Sequence, residues 1–303
     1  MQEVNLDHIA DGFVFGEAPR WHKGRLWISD QVDKKIYSMG ADNKLTVEHQ
    51  LDFNPSGLGW LPNGDLLIVS MFNHKLMKDV GSGEFAVFAD LASYCGGKAN
   101  DMVVDKLGRA YVGNIGFDDT AYLKHDSENG PFPKPPTVLV RVDPDGSSRV
   151  VAENLHCPNG MAITGDGKTL VVGQSGSNEI LGFMIDKNGD LSGCHVYALL
   201  PERPEVPMGF ATPDGLCLDE QGAAWVASPI SMEFLRVEAG TDNITHRIDL
   251  DNRYAIACVL GGANRKTLYA ISCWTVSHER APEHRDGRLG AFEVEVAGGE
   301  VLP

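Results

Sequence analysis

The chain reads as one all-β domain over residues 1–303: a six-bladed β-propeller with four-stranded blades, its ring closed by N- and C-terminal strands. Three observations predict this. Short runs rich in Val, Ile, Leu and aromatic residues recur along the whole chain. They are joined by tight turns carrying Gly or Asn, residues that tolerate the positive φ of hairpins. No stretch of helical period separates them, and their composite unit repeats at about 40–60 residues, near the blade length of propellers.

The units follow in order. Blade 1 has runs at 18–21 and 25–29 around His22-Lys23-Gly24, with a third at 35–37. Blade 2 repeats this at 57–60, 65–70 and 75–77 around Pro62-Asn63-Gly64, and blade 3 at 101–104, 109–113 and 138–142 around a turn ending in Gly108. Blade 4 uses 160–163, 169–173 and 179–183 around Asp166-Gly167-Lys168. Blade 5 uses 215–218, 223–227 and 234–237 around a turn ending in Gly222, and blade 6 uses 258–260, 267–271 and 289–294 around 264–266. Residues 3–6 are expected to pair with the last blade, closing the ring and covering its edge.

Composition agrees with a soluble, loop-rich domain: 43% hydrophobic, 22% charged, 34 glycines and 16 prolines. The net charge of −16, without any basic stripe, argues against nucleic acid or an anionic membrane as partner. No apolar run approaches the roughly 18–20 residues of a membrane span. Residues 1–16 lack a basic segment followed by an apolar one, so a cytoplasmic location is expected. Six scattered cysteines without a Cys-x-x-Cys pair read as reduced, packed thiols.

In a propeller the first strand of every blade lines the central channel, and all of them begin at the same face. The residues at those six starts are Glu17, Ser56, Asn100 with Asp101, Asn159, Asp214 and Ala257. Four of the six carry a carboxylate or a carboxamide, oxygen donors suited to Ca²⁺, Mg²⁺ or Mn²⁺. The absence of His and Cys from these positions argues against a zinc site of the usual kind. One divalent ion is expected, Ca²⁺ being favoured over Mg²⁺, Mn²⁺ or Zn²⁺.

The segments around these positions resemble the SMP-30/gluconolactonase family of regucalcin-like lactonases. They are Gly16-Glu17-Ala18-Pro19-Arg20-Trp21, Asn100-Asp101, Pro158-Asn159-Gly160-Met161 and Pro213-Asp214-Gly215-Leu216-Cys217-Leu218-Asp219. The resemblance implies a divalent ion held by Glu17, Asn159 and Asp214, substrate contacts from Asn100 and Asp101, and Asp214 doubling as general base. Lys98 stands where many sugar lactonases place an arginine, and Met102 where a glycine often follows Asn-Asp. Lysine keeps the positive charge for substrate binding but loses the planar fork.

Lactone hydrolysis needs a polarised carbonyl, an activated water and a stabilised oxyanion; a divalent ion and a carboxylate together supply these. Asp214 is the first candidate base and Asp101 the second. The long loops at 114–137, 199–213 and 273–288 fall at the channel mouth and carry Phe117, Tyr122, Phe132, Met208, Phe210 and Trp274. Such aromatics predict an apolar wall and a small-molecule lactone or ester bulkier than a sugar acid. His278 and His284, in the last of these loops, read as solvated surface histidines before proton-transfer groups. Residues 143–147 and 186–190 begin like EF-hand loops but lack the later glutamate, so they read as hairpin turns. Two other readings stay open: another metal-assisted hydrolysis, such as that of phosphotriesters, on the same scaffold, and a non-catalytic Ca²⁺-binding propeller.

Overall fold

The computed structural model describes residues 2–3, 5–125 and 134–299. Their strands form six sheets, each with four antiparallel strands, and one of the six gains a further, parallel strand at its outer edge. The inner strands are Gly16–His22, Pro55–Trp60, Ala99–Val104, Pro158–Ile163, Leu216–Leu218 and Tyr254–Gly261. Each contacts the inner strands of the blades before and after it, the sixth contacting the first, so all six surround one axis. This is the six-bladed propeller expected from the repeat.

The outermost strands of blades 1 to 5 are Leu45–Gln50, Glu84–Asp90, Ser148–Leu155, Leu191–Leu199 and Ile244–Asp249. They are largely exposed or half-buried, so their composition varies from blade to blade and no shared pattern marks them. In blade 6 the outermost strand comes from the other end of the chain. Asp7–Phe13 pairs antiparallel with Gly287–Glu293, Asp7 opposite Ala291 and Phe13 opposite Gly287. The closing strand is therefore not the expected 3–6 segment; Gln2–Glu3 instead runs parallel to Ile244–Asp249 of blade 5.

Two interactions fix the closure. Phe13 is buried, with its ring 5.3 Å from that of Tyr37 in an edge-on contact. The Asp30 carboxylate accepts hydrogen bonds from the Val14 and Phe15 amides at 2.8 and 3.1 Å, locking the chain onto blade 1.

The core is divided like the ring. Six apolar clusters among the described residues each fill one gap between neighbouring blades. Leu26 and Ile28 meet Ile271 and Leu289 between blades 1 and 6, for instance, and Leu67 and Leu76 meet Met102 and Ala110 between blades 2 and 3. Each such buried side chain contributes about 1.5–3 kcal/mol of burial, so every blade depends on both neighbours and the channel walls are held from all sides.

Candidate active site

At the channel mouth five of the six inner strands share an irregularity. Their pairing with the second strand shifts register between Glu17 and Arg20, Pro55 and Leu58, Ala99 and Met102, Pro158 and Met161, and Ala255 and Ala257. A bulge re-aims the side chains at its kink, and here the kinks coincide with Glu17, Ser56, Asn100 with Asp101, and Asn159. Local strain accompanies it: Ala18 has φ +48° and Cys157 has φ +57°, conformations that cost a non-glycine residue about 1–3 kcal/mol. Glycine permits the crowding beside them. A Cβ on Gly160 would lie 2.3 Å from the Asp214 carbonyl oxygen, and one on Gly215 would lie 2.3 Å from Ala257 Cβ.

Hydrogen bonds join Ser56, Asn100 and Asn159, and Glu17, Asp101 and Asp214 lie close enough for Glu17 to feel the other two charges. Glu17, Ser56, Asn100, Asp101 and Asn159 are all buried. Burial first, then the negative charges of Asp214 and Asp101, hold the Glu17 carboxyl well above the ordinary carboxylate range. Burial and then Asp101 push Asp214 up to about 8, against the opposing hydrogen bonds of the Asn159 side chain and the Gly215 amide. Asp101 is raised as well, by burial, with Arg20 pulling it back. Three mutually repelling carboxyls thus share one desolvated space.

Arg20 is the resident counter-charge, a residue that sequence reasoning passed over although it lies inside the Gly16–Trp21 motif. Its guanidinium donates to Asp101 Oδ1 at 2.5 Å, to the Met102 carbonyl at 2.6 Å and to the Leu58 carbonyl at 3.2 Å, tying together the inner strands of blades 1, 2 and 3. Asp101 Oδ1 also accepts the Met102 amide at 2.8 Å. Arg20 is therefore engaged by Asp101, while Glu17 and Asp214 remain in need of positive charge.

Among the described residues, no three His, Cys, Asp or Glu side chains gather as metal ligands. A cation here would take the Glu17 and Asp214 carboxylates together with the Asn159 carboxamide oxygen. That set of hard oxygen donors, buried and carrying like charges, fits a divalent ion of the Ca²⁺ or Mn²⁺ type.

A row of polar side chains runs from the rim into this site. Lys98 Nζ lies 3.4 Å from His278 Nδ1, and His278 Nε2 lies 2.5 Å from Gln31 Oε1. Gln31 Nε2 donates to Ser56 Oγ at 3.0 Å, and Ser56 Oγ to Asn100 Oδ1 at 3.1 Å. Asn100 Nδ2 donates to Asn159 Oδ1 at 2.8 Å, Asn159 Nδ2 to Ser175 Oγ at 3.0 Å, and Ser175 Oγ to the Pro213 carbonyl at 2.7 Å. Gln31 and Ser175 carried no local sequence signal; each is a polar residue just past the second strand of its blade.

One expected role changes in this setting. His278 is no solvated surface residue: its ring lies 4.7 Å from that of Phe15, and burial and then Lys98 lower it to about 3. Lys98 reaches the rim, yet its ammonium pairs with Asp119 at 2.8 Å and sits 4.9 Å over the Phe72 ring. Met102 is fully buried between blades 2 and 3, so the side chain replacing the family's glycine does not narrow the mouth. His284 lies against Trp274, ring to ring at 4.5 Å. Residues 143–147 and 186–190 are hairpin turns, as read.

The long loops meet one another over the mouth. In the 114–137 loop a short helix, Asp119–Leu123, is capped by Asp118. Tyr122 Oη touches Met208 Sδ of the 199–213 loop at 4.0 Å, and Phe117 packs edge-on against Tyr122 at 5.7 Å. Lys134 Nζ lies 3.8 Å over the Tyr122 ring. Lys124 pairs with Glu279 of the third loop at 2.6 Å. Phe132 falls outside the described residues. A separate cavity of about 550 Å³ lies at the opposite mouth, lined by Arg20, Trp21, Trp60, Met161 and Leu218 among others, and neither Glu17, Asn159 nor Asp214 borders it.

Comparison with known proteins sets this geometry in context. The description "SMP-30/Gluconolactonase/LRE-like region" matches residues 15–273. A regucalcin of Gallus gallus is 20% identical over 306 residues, spanning 100% of this chain and 98% of its own. A gluconolactonase of Zymomonas mobilis is 24% identical over 250 residues, spanning 74% and 67%. Among solved structures, a regucalcin from Agrobacterium tumefaciens, described as calcium-binding, superposes with a TM-score of 0.77 at 18% identity over 100% of this chain and 98% of that one. A gluconolactonase of Xanthomonas campestris gives 0.69 at 21% identity over 95% and 89%.

Proposed function

Because the chain belongs to the SMP-30/gluconolactonase/LRE-like family, we propose that it is a divalent-metal-dependent hydrolase that opens a lactone. What supports this reading is that Glu17, Asn159 and Asp214, far apart in sequence, meet at the channel mouth, where burial and neighbouring carboxyls raise both Glu17 and Asp214 above the ordinary carboxylate range. A divalent cation bound by these three would polarise the ester carbonyl and keep Asp214 ionised.

The remaining work falls to the chain itself. Asp214 takes a proton from the attacking water as the water oxygen bonds to the carbonyl carbon. The ring C–O bond then breaks, and the same proton passes from Asp214 to the departing alkoxide, giving the open hydroxy acid. Asp101 is the weaker candidate for base, because Arg20 and the Met102 amide already occupy its Oδ1; its part is to hold Arg20 and set the charge of the site. Asn100 faces the substrate beside them.

The wall built by Phe72, Phe117, Tyr122 and Met208 supports a substrate with apolar bulk next to its lactone ring. Lys98 closes one side of that wall through Asp119.

The test is a chelator-stripped preparation assayed against gluconolactone, aryl lactones and long-chain lactones while Ca²⁺, Mg²⁺, Mn²⁺ and Zn²⁺ are returned in turn. Recovery with at least one ion is expected, with apolar lactones turned over faster than gluconolactone. Failure of every ion to restore any hydrolysis would sink the reading, and metal binding without turnover would favour a Ca²⁺-binding propeller.

A further inference from the structure

The row of hydrogen bonds from Lys98 to Pro213 has a direction that its two ends dictate. The Pro213 carbonyl can only accept, so the Ser175 hydroxyl must give its single proton to it. Ser175 Oγ is then left to accept, which turns the Asn159 amide nitrogen toward it and the Asn159 oxygen toward Asn100. Asn100 must meet that oxygen with its own N–H and present its oxygen to Ser56. The other end demands the same sense. The Lys98 ammonium can only donate, so His278 Nδ1 accepts and Nε2 carries the proton. Gln31 Oε1 accepts the hydrogen bond of that N–H, its Nε2 donates to Ser56 Oγ, and the Ser56 hydroxyl donates to Asn100.

Amide orientations and imidazole tautomers are ordinarily open to a flip. Here one obligate donor and one obligate acceptor, reached independently from opposite sides of the channel, allow a single assignment for every side chain between them. Reversing any one amide would set oxygen against oxygen or N–H against N–H in a buried row, at about 1–3 kcal/mol for each group left without a partner.

We propose that Gln31 and His278 are positioning residues of the cation site, and that Asn100 serves the site as an N–H donor and not as an oxygen ligand. The inference rests on the reading of Glu17, Asn159 and Asp214 as the cation's ligands. His278 reaches in from the third long loop and Gln31 from the end of a second strand. Together they hold Ser56 with its proton toward Asn100, and so hold the Asn159 oxygen in place. A group bonded directly to a metal ligand, as Asn100 is to Asn159, carries about 10–100-fold in metal affinity, and Gln31 and His278 act on that group through Ser56. The same arrangement gives the substrate side of the site an amide donor, suited to an ester oxygen.

The decisive variant is Asn100→Asp, with Mn²⁺ binding to the stripped protein followed by calorimetry. A donor replaced by an acceptor faces the Asn159 oxygen with a lone pair, so Mn²⁺ affinity falls at least about tenfold. Were Asn100 an oxygen ligand, the added negative charge would tighten binding, and that result overturns the proposal. His278→Leu and, separately, Gln31→Met weaken Mn²⁺ binding about tenfold. His278→Gln restores most of it, because a glutamine can donate to Gln31 and accept from Lys98. Unchanged affinity in both His278→Leu and Gln31→Met overturns the positioning role. The direction of the row is read without metal from the long-range ¹H–¹⁵N spectrum of the stripped wild type. A neutral His278 protonated at Nε2 is expected, and the opposite tautomer or an imidazolium refutes the assignment. Absence of Mn²⁺ and Ca²⁺ binding by wild type, with the expected tautomer present, would instead bring down the cation reading and the metal half of this inference with it.

Discussion

Arg20 and Asp101, 81 positions apart, form a 2.5 Å ion pair that spans from the first blade to the third inside the channel wall. Removing one partner of such a buried pair leaves the other uncompensated, at about 3–5 kcal/mol. Arg20→Leu is therefore expected to lose that much stability at pH 8 in urea unfolding. Burial already raises the Asp101 carboxyl in the fold, and Arg20 pulls it back; without Arg20 it rises further, so protonation relieves the loss and the deficit shrinks as pH falls. The double variant Arg20→Leu/Asp101→Asn should recover much of the deficit. A deficit independent of pH would mean that the guanidinium acts through packing alone.

The raised carboxyls give the metal-free protein a pH signature. Asp214 sits near 8 in the fold against an ordinary 3.8. Its folded-state value lies above the unfolded one, so the stability tied to its proton is complete below the unfolded value, declines as pH rises, and is gone above about 8. In chelator, Asp214→Asn is accordingly expected to gain melting temperature relative to wild type as pH goes from 5 to 8. With Ca²⁺ or Mn²⁺ present the order reverses at pH 8, and hydrolysis by the variant falls at least about a thousandfold. Melting curves that run parallel across this range, without metal, would contradict the charge crowding.

Gly160→Ala tests the close approach of blades 4 and 5. The new methyl would meet the Asp214 carbonyl at 2.3 Å and the Leu216 amide at 2.5 Å. Overpacking of this kind costs about 1–3 kcal/mol and displaces Asp214 along with its backbone. Both the unfolding midpoint and kcat should drop, and an unaffected kcat in a destabilised variant would separate the glycine's fit from the chemistry.

Tyr122→Ala and Met208→Ala remove the contact between two mouth loops. Kinetics on paired substrates should show KM for aryl lactones rising several-fold, about 1 kcal/mol of lost apolar contact, with gluconolactone little changed. Equal loss on both substrates would point to loop collapse in place of substrate contact.

Phe13→Ala addresses ring closure. Loss of a buried phenylalanine costs about 3–5 kcal/mol, and here it also loosens the strand that completes blade 6, so hydrogen exchange at Asp7–Phe13 and Gly287–Glu293 should accelerate together. Unchanged protection in the second of these segments would argue that blade 6 holds without its borrowed strand.

That closing strand also marks where the sequence stops being informative. The inner and second strands were legible because each pairs an apolar run with a Gly or Asn turn, and the mouth residues followed from counting back along six equivalent strands. Asp7–Phe13 offers no such pattern: its exposed and half-buried residues alternate in pairs, with only Phe13 buried, and its partner lies at the far end of the chain. The same limit applies within the site. Glu17, Asn100, Asp101, Asn159 and Asp214 stand out as carboxylates and amides at a channel mouth, and the family resemblance singles out three of them as ligands, whereas Gln31 and His278 are 247 positions apart and meet only through the closure of the ring. Lys98 was visible as a charge, but its engagement by Asp119 depends on a helix within a loop that no periodicity announces.

The pairing of Asp7 with Ala291 has a consequence for biosynthesis. Ribosomes add about 5–20 residues per second, so the Asp7–Phe13 strand waits on the order of 15–55 s for its partner to be made. Throughout that interval Phe13 has no finished sixth blade to enter, and the nascent ring is an open crescent with an unsealed seam. Chaperone capture of stalled nascent chains should therefore concentrate on lengths that end before residue 287.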